Sequence, residues 1–424
     1  MIPPLELLIN KVAQGRRIIV YGAGNQGRGI ALALRERGIE PRAFIDGNPE
    51  LQGRILAGIP VMTPSVIAEP GAANSIFVVV AAFFFEREIS DLLDSHGFKR
   101  FESYIPYSLL KPHDYAVEVS GVCNLRCITC PRGGCHLPER PAAMMDLDTF
   151  KMVLAKIRRE DPFVGNIQLY QWGEPTLNKQ LPYMIRHARE NAILCAVSSN
   201  LNYETDFRAL IEARPEWLRL SASGMEGNYE ITHTGGNWKT FLANIEIVGK
   251  LRKDIYPEMK VELYYHQYKH SIGEQQSRMA EICKRLDIEF HPVPAYLISL
   301  DDVLAYCEGH PLPDSAQRSR DLLLVDLDEG LAHAKKEAAL ECDAMRVIMI
   351  NADLSVSTCM MFYYPQENTV TDNFLSTPLE EIITLRTKAA LCMKCKKYAI
   401  HRYCGVYAKL SGAHLGHDIP MSTT

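Results

Sequence analysis

From about residue 115 the sequence alternates between a strand period and a helix period, and no other feature limits the fold as much. Strand-like runs at "YAVEVS", "GNIQLYQ", "ILCAVSS", "WLRLSAS", "KVELYYH" and "DIEFHPV" are separated by helix-like segments at 146–160, 178–191, 203–213, 238–252 and 274–286. Six such alternations in about 180 residues predict an α/β architecture, a parallel sheet or partial barrel. Ligands of such sheets sit at the C-terminal ends of the strands, so chemistry is sought there.

The first hundred residues carry the same alternation on a smaller scale. The run Ile18–Tyr21 reads as a strand, Gly22-Ala-Gly24-Asn-Gln-Gly27 as a turn, and the stretch to Arg37 as a helix stopped by Gly38. Further strands are expected at 42–45, 76–81 and in "FKRFESY", with a helix around 86–96. Gly22, Gly24 and Gly27 open a helix, and Asp46 ends the next strand nineteen positions after Gly27. That pattern fits a dinucleotide site: glycines let the backbone approach a phosphate, and a carboxylate binds ribose hydroxyls. Residues 1–110 also resemble the small Rossmann-like domains attached to sugar-modifying acyltransferases and methyltransferases. NAD or a nucleotide-sugar is the expected ligand; the other reading is a sheet that keeps the turn and binds nothing. "IPYSLLKPHDY" (105–115), with two prolines, reads as a linker.

The net charge of −5 gives no electrostatic reason to expect nucleic acid. The longest apolar run, "SIFVVVAAFFF", is too short to span a bilayer. The N-terminus lacks a basic region and a small-residue cleavage site, so a cytoplasmic protein is expected. Twelve cysteines in a reducing compartment then point to metal or redox chemistry rather than disulfides. Cys195, Cys283 and Cys307 are isolated and read as core residues.

The other cysteines are grouped. Cys123, Cys127 and Cys130 follow the first strand of the second region at x3 and x2 spacing, with Cys135 close behind. Three thiolates are one short of a closed zinc site or a fully ligated cluster, and Cys135 as a fourth leaves structural zinc open. In this context "VCNLRCITC" resembles the signature loop of the radical S-adenosylmethionine enzymes, although Thr129 stands where an aromatic residue is often found. The resemblance continues through Gly173, Glu174 and Pro175, then "AVSSNLN" with Ser198, Ser199 and Asn200, then "LRLSASGMEGNYEITHTGG" with Ser221, and spans roughly 115–300. It implies a radical SAM core over 113–300 with a 4Fe–4S cluster on the three cysteines. It implies that the Gly-Glu-Pro turn meets the methionyl amino group of S-adenosylmethionine, and that the polar residues of 196–202 approach its carboxylate and ribose. Flavodoxin or ferredoxin would be the electron donor.

A connector over 301–340 leads to Cys342, Cys359, Cys392, Cys395 and Cys404. "CDAMRVIMINADLSVSTC" reads as two short strands with a cysteine at each end, and "CMKC" as a tight pair on a loop. Residues 341–412 resemble the SPASM or shortened twitch extension, which implies a second, auxiliary 4Fe–4S cluster. The ligands expected are Cys342, Cys359, Cys392 and Cys395, with Cys404 spare; a structural zinc hairpin is the other reading. The last dozen residues look like a loose tail.

His266, with Tyr264 beside it, ends a predicted strand and is a candidate base; Cys135 is a candidate hydrogen-atom donor. The expected activity is hydrogen abstraction from a saccharide, cyclitol or nucleotide-sugar, ending in oxidation of an alcohol or in epimerisation. Two other hypotheses are peptide or protein maturation, and a zinc- and nucleotide-binding protein without turnover.

Overall fold

The computed structural model describes residues 2–133 and 142–410. The chain divides into two compact units, one of residues 1–114, 154–167 and 188–194, the other of 115–153, 168–187 and 195–424. Among the described residues no helix is long and apolar enough to cross a membrane.

The first unit is built on a six-stranded sheet of order β3-β4-β2-β1-β5-β6, where β1 is Arg17–Tyr21, β2 Ala43–Ile45, β3 Ile55–Leu56, β4 Ile59–Met62, β5 Ile76–Val80 and β6 Tyr104–Ile105. The run "IFVVV" is apolar throughout because both faces of β5 are covered. Ile18, Val20, Phe77 and Val79 join Leu8, Ile30 and Leu34 in one core, while Ile19, Tyr21, Val78 and Val80 join Ile89 and Leu93 in another. Period-2 alternation thus splits each strand between two helical layers.

Three details differ from the sequence reading. The strand expected in "FKRFESY" shrinks to β6, because residues 101–103 form a turn with Phe101 at φ 65°. A hairpin, β3–β4, turns on Ala57 and Gly58, both at positive φ, as a two-residue loop requires. The segment read as a linker is anchored: Tyr107 and Leu110 are buried in the first core, and the Tyr107 hydroxyl donates to Gln26 and Asp114.

The second sheet has nine strands in the order β12-β11-β10-β9-β8-β7-β13-β14-β15. Six come from the alternating region: β7 (Asp114–Val117), β8 (Asn166–Gln168), β9 (Leu194–Ser199), β10 (Trp217–Ala222), β11 (Lys260–Gln267) and β12 (Glu289–Pro294). Recorded pairings among them are parallel, as helix-length connections require. The cysteine-bearing hairpin supplies β13 (Val347–Ile350) and β14 (Val356–Ser357), antiparallel to each other, and β15 (Thr369–Thr371) pairs antiparallel with β14. The Cys392–Cys395 pair lies on a helix, Ala390–Lys397, rather than on a loop. "ALCMKCKK" is rich in alanine, leucine, methionine and lysine, all good helix formers, and that overrides the loop reading.

Register fixes which side chains share a face. Arg219 stands across from Ser198 on one side and Glu262 on the other; Ser221 stands across from Tyr264, and Tyr264 across from His291. His266 is two residues beyond Tyr264 and shares that face. Along β9 and β10 this face is partly open at Ser198, Arg219 and Ser221, while Val197, Leu218, Leu220 and Ala222 on the opposite face are wholly buried.

Candidate functional site

The loop holding Cys123, Cys127 and Cys130 leaves the end of β7 and is pinned along its length. The Arg126 and Ile128 amides donate to the Thr234 and Thr232 carbonyls at 2.9 and 3.1 Å, and the Ile298 amide donates to the Thr129 carbonyl at 3.2 Å. Thr129 Oγ1 lies 3.0 Å from the Tyr268 hydroxyl, so the position where an aromatic residue was noted as usual holds a buried hydroxyl pair. Leu125 fills the core beneath the loop.

Burial and negative charge on neighbouring thiols oppose ionisation at Cys127 and Cys130. Burial pushes Cys127 well above the ordinary thiol range, and negative charge at Cys130 and Cys123 adds to it. Cys130 is pushed up to about 11, first by burial, with Cys123 contributing. Coupled thiolates are stabilised by a bound cation, so the donor chemistry is that of a metal centre taking three sulfurs from one loop. The ligand atoms that lie within 4.8 Å of one another among the described residues are instead those of Glu262, Glu289 and His291, where no ion is needed because Lys260 is paired with Glu262.

Beside it, the Gly173–Pro175 turn is held by the protein's own groups. One carboxylate oxygen of Glu118, just past β7, accepts from the Trp172 and Gly173 amides at 2.9 and 3.1 Å. The Glu174 amide donates to the Val122 carbonyl at 2.8 Å. A Cβ on Gly173 would lie 1.7 Å from the Ser120 carbonyl oxygen, so this backbone crossing admits only glycine. Glu174, buried, accepts from the Thr176 amide and hydroxyl at 3.1 and 2.7 Å and from the Asn200 amide at 2.8 Å; the Ser199 hydroxyl also bonds it. Its carboxylate therefore joins the turn to the end of β9. Pro175 is buried and opens a short 3-10 turn, and Trp172 packs edge-on against Tyr363 at 5.5 Å.

Asn200 carries the connection back to the cysteines. Its Nδ2 donates to Asn124 Oδ1 at 3.0 Å and lies 3.7 Å from Cys123 Sγ, and its Oδ1 accepts from the Asn202 amide. Asn202 in turn donates to the Tyr229 hydroxyl, and the Tyr229 ring stacks on His233 at 4.4 Å. Burial holds His233 down to about 4, with Nδ1 3.1 Å from Ser223 Oγ. The sequence reading missed Asn124, Asn202, Tyr229 and His233; the four-residue spacing of Tyr229 and His233 was the available signal.

On the shared face of β9–β11, Ser198, Ser221 and His266 lie beside Arg219, a residue the sequence reading did not single out. Burial lowers His266 to about 3, and the charges of Arg219 and His233 add to this. Tyr264 is covered: the Arg219 guanidinium sits 3.9 Å over its ring and His291 lies 5.3 Å away, so it serves as a packing platform. Cys135 lies outside the described residues.

The C-terminal cysteines converge on one cavity. Its walls include Cys342, Cys359, Cys395 and Cys404, with Asp343, Met361 and Arg402. Cys392 is turned aside, with Sγ 3.7 Å from Met345 Sδ and 3.8 Å from the Arg386 carbonyl oxygen, yet it remains in electrostatic reach of Cys342 and Cys359. Burial raises Cys359 and Cys395, and their neighbours' negative charge adds. Cys404 is pushed up to about 12 by burial and hydrogen-bonds Tyr296. Arg386 is buried against this site; its guanidinium donates to the Thr358 and Val347 carbonyls at 2.9 and 2.6 Å. Four sulfurs on the cavity wall, a fifth beside it and one buried cation make a donor set of the kind an enclosed metal centre uses.

In the first unit Gly22 takes φ 109°, and a Cβ on Gly27 would lie 1.9 Å from the Gly22 carbonyl oxygen. Gly24 precedes the helix Asn25–Glu36. Asp46 accepts from the Ala23 amide at 2.7 Å and the Asn48 amide at 2.8 Å, so its carboxylate ties the glycine turn to the end of β2. A ribose hydroxyl would have to share it.

No protein-family model matches the chain. Among solved structures it is similar to BtrN in complex with AdoMet and 2-DOIA, at 16% identity over 70% of this chain and 90% of that one, TM-score 0.40. It is similar to SuiB of Streptococcus suis bound to S-adenosylmethionine, at 15% identity over 81% of this chain and 88% of that one, TM-score 0.46. Native anSMEcpe with bound AdoMet matches at 15% identity over 72% of this chain and 93% of that one, TM-score 0.39. These likenesses are distant, and the functional reading rests on the site's own residues.

Proposed function

We propose that the protein is a radical S-adenosylmethionine enzyme acting on a polar small molecule. The observation that carries this reading is the gathering of Cys123, Cys127 and Cys130 on one loop tied to Asn200 at Cys123 and to the 232–234 segment. An iron–sulfur cluster bound there supplies, with S-adenosylmethionine, a 5′-deoxyadenosyl radical able to take hydrogen from an unactivated carbon.

The chain's own residues orient and exclude. The three cysteines would hold three irons and leave the fourth for the methionyl group. The Gly173–Pro175 turn, locked by Glu118 and Glu174, and the Ser198–Asn200 segment would position that group. His266 is neutral at pH 7 and, held near 3 mainly by burial, is a weak base, so a ring nitrogen would accept a hydrogen bond from a substrate hydroxyl and orient it. The C-terminal cysteines would hold a second cluster, with Cys342, Cys359 and Cys395 as ligands and the fourth from Cys404 or Cys392. With a second redox centre available, dehydrogenation of a secondary alcohol in a saccharide, cyclitol or nucleotide-sugar is the favoured outcome, and epimerisation competes with it.

Anaerobic purification tests the reading. The expected protein is brown, carries iron and sulfide, and cleaves S-adenosylmethionine under dithionite. A colourless zinc protein without cleavage would overturn it. Product mass spectrometry in deuterated water then separates the outcomes: loss of two hydrogens means oxidation, and gain of deuterium at carbon means epimerisation.

A further inference from the structure

We propose that the open face of β9–β11 is an anion subsite and that the substrate carries a carboxylate or phosphate which pairs with Arg219. The inference rests on reading that face as the substrate side of the enzyme proposed above.

Arg219 is the anchor. It shares its face with Ser198, Ser221, Tyr264 and His266, and this face is the partly open one along β9 and β10. Its guanidinium is desolvated, yet its partners are the Tyr170 hydroxyl and the Tyr264 ring, and Nε has no hydrogen-bond partner. Among the described residues no carboxylate reaches it. Glu262, across from it in register, pairs through Oε1 with Lys260, with His291 3.6 Å away, while its Oε2 is buried without a hydrogen-bond partner. Burial opposes a charge on His291, but its contacts with Glu262 and Glu289 push it up to about 9, so the acids at this end of β11 and β12 already have their counter-charges.

A desolvated cation without a counter-ion is costly, and a guanidinium's planar fork matches a carboxylate or phosphate. Ser221, two residues further along the same strand, offers a hydroxyl on the same face. Burial is the main cause that holds His266 down and the Arg219 charge adds to it, so an anion paired with Arg219 would offset part of that depression. Anion binding and the basicity of His266 would then be coupled on one face.

The test is isothermal titration of the full-length, anaerobically purified protein with inorganic phosphate and, separately, glucuronate; glucose is the neutral control. The expected result is that one of the two anions binds at millimolar concentration, that Arg219→Gln weakens it about tenfold or more, and that Arg219→Lys lies between. The exposed Arg208→Gln controls for loss of a surface charge and is expected to bind as wild type. If Arg219→Gln does not fold, phenylglyoxal labelling of Arg219 in the wild type replaces it, and the anion is expected to block labelling. No binding of either anion up to about 50 mM, or equal binding by Arg219→Gln, overturns the subsite. Iron-bearing protein that binds no anion sinks the subsite alone, whereas iron-free protein that binds the anion sinks the enzyme reading and leaves the subsite standing.

Discussion

The two cysteine sites solve opposite problems. At the first, three thiols on one loop stay partly exposed, and the surrounding hydrogen bonds run through Asn200, Glu174 and Glu118 to backbone amides. At the second, five thiols come from four separate segments, two of them buried, and Arg386 lies inside with backbone carbonyls as its partners. On the proposed reading, a site with three sulfurs among the described residues leaves a position for a small molecule, whereas one with sulfurs to spare is closed to it. Openness and closure are therefore written in donor count and in local charge.

The largest effect expected is on the open site. Replacing Cys123, Cys127 and Cys130 together by alanine is expected to abolish S-adenosylmethionine cleavage and to remove about half of the bound iron. Iron retained in full would mean that the two sites do not both hold clusters, and the comparison would fail. Next comes the choice of ligand at the closed site. Cys404 lines the cavity and Cys392 is turned aside, so Cys404→Ala is expected to strip more iron from this site than Cys392→Ala, as read by cluster absorbance on a triple-alanine background. The reverse order would restore the ligand set expected from sequence.

Arg386 sharpens the contrast further. Arg386→Leu leaves the Thr358 and Val347 carbonyls without their donor and is expected to cost about 3 kcal/mol in denaturant unfolding of the metal-free protein. Arg386→Lys, which keeps a charge but loses the fork, is expected to recover part of that.

Most strands and helices of both sheets could be read from the sequence because period and punctuation are local, whereas the short strands β3, β4 and β15 carry too few residues to show a period. The glycine turn at Gly22–Gly27 was legible for the same reason, since a positive φ and a close backbone approach leave glycine as the residue that fits. What was not legible depends on pairs far apart in the chain. Arg219 reads as an ordinary polar position in an alternating strand; its isolation follows from Lys260 and His291 taking up Glu262. Thr129 reads as a departure from a motif, and its reason, Tyr268, lies well over a hundred residues away. Cys404 reads as a spare because nothing in the spacing shows a helix turning it toward Cys342 and Cys359. The "CMKC" pair was misread for a local reason: metal-loop expectation outweighed helix propensity.

The smallest expected effect concerns pH and again falls on one site. His233 supports the segment that receives the Arg126 and Ile128 amides of the open loop. Its folded pKa, about 4, lies below the ordinary 6.5, so between those values the unfolded chain binds a proton that the folded chain lacks. Stability is therefore present above pH 6.5 and falls as pH drops toward 4, by up to about 3 kcal/mol for a fully buried ring. His266, held near 3, acts in the same direction. Amide hydrogen exchange of the metal-free protein at pH 7 and 4.5 is expected to show residues 123–130 losing protection before residues 347–357 of the closed site. His270 and His401 are also held down by burial, so His233→Gln removes one of several such protons and is expected to flatten that pH dependence in part. Equal loss at both sites would show that acid acts on the fold as a whole, and the distinction between a loop pinned from outside and a site closed from within would not hold.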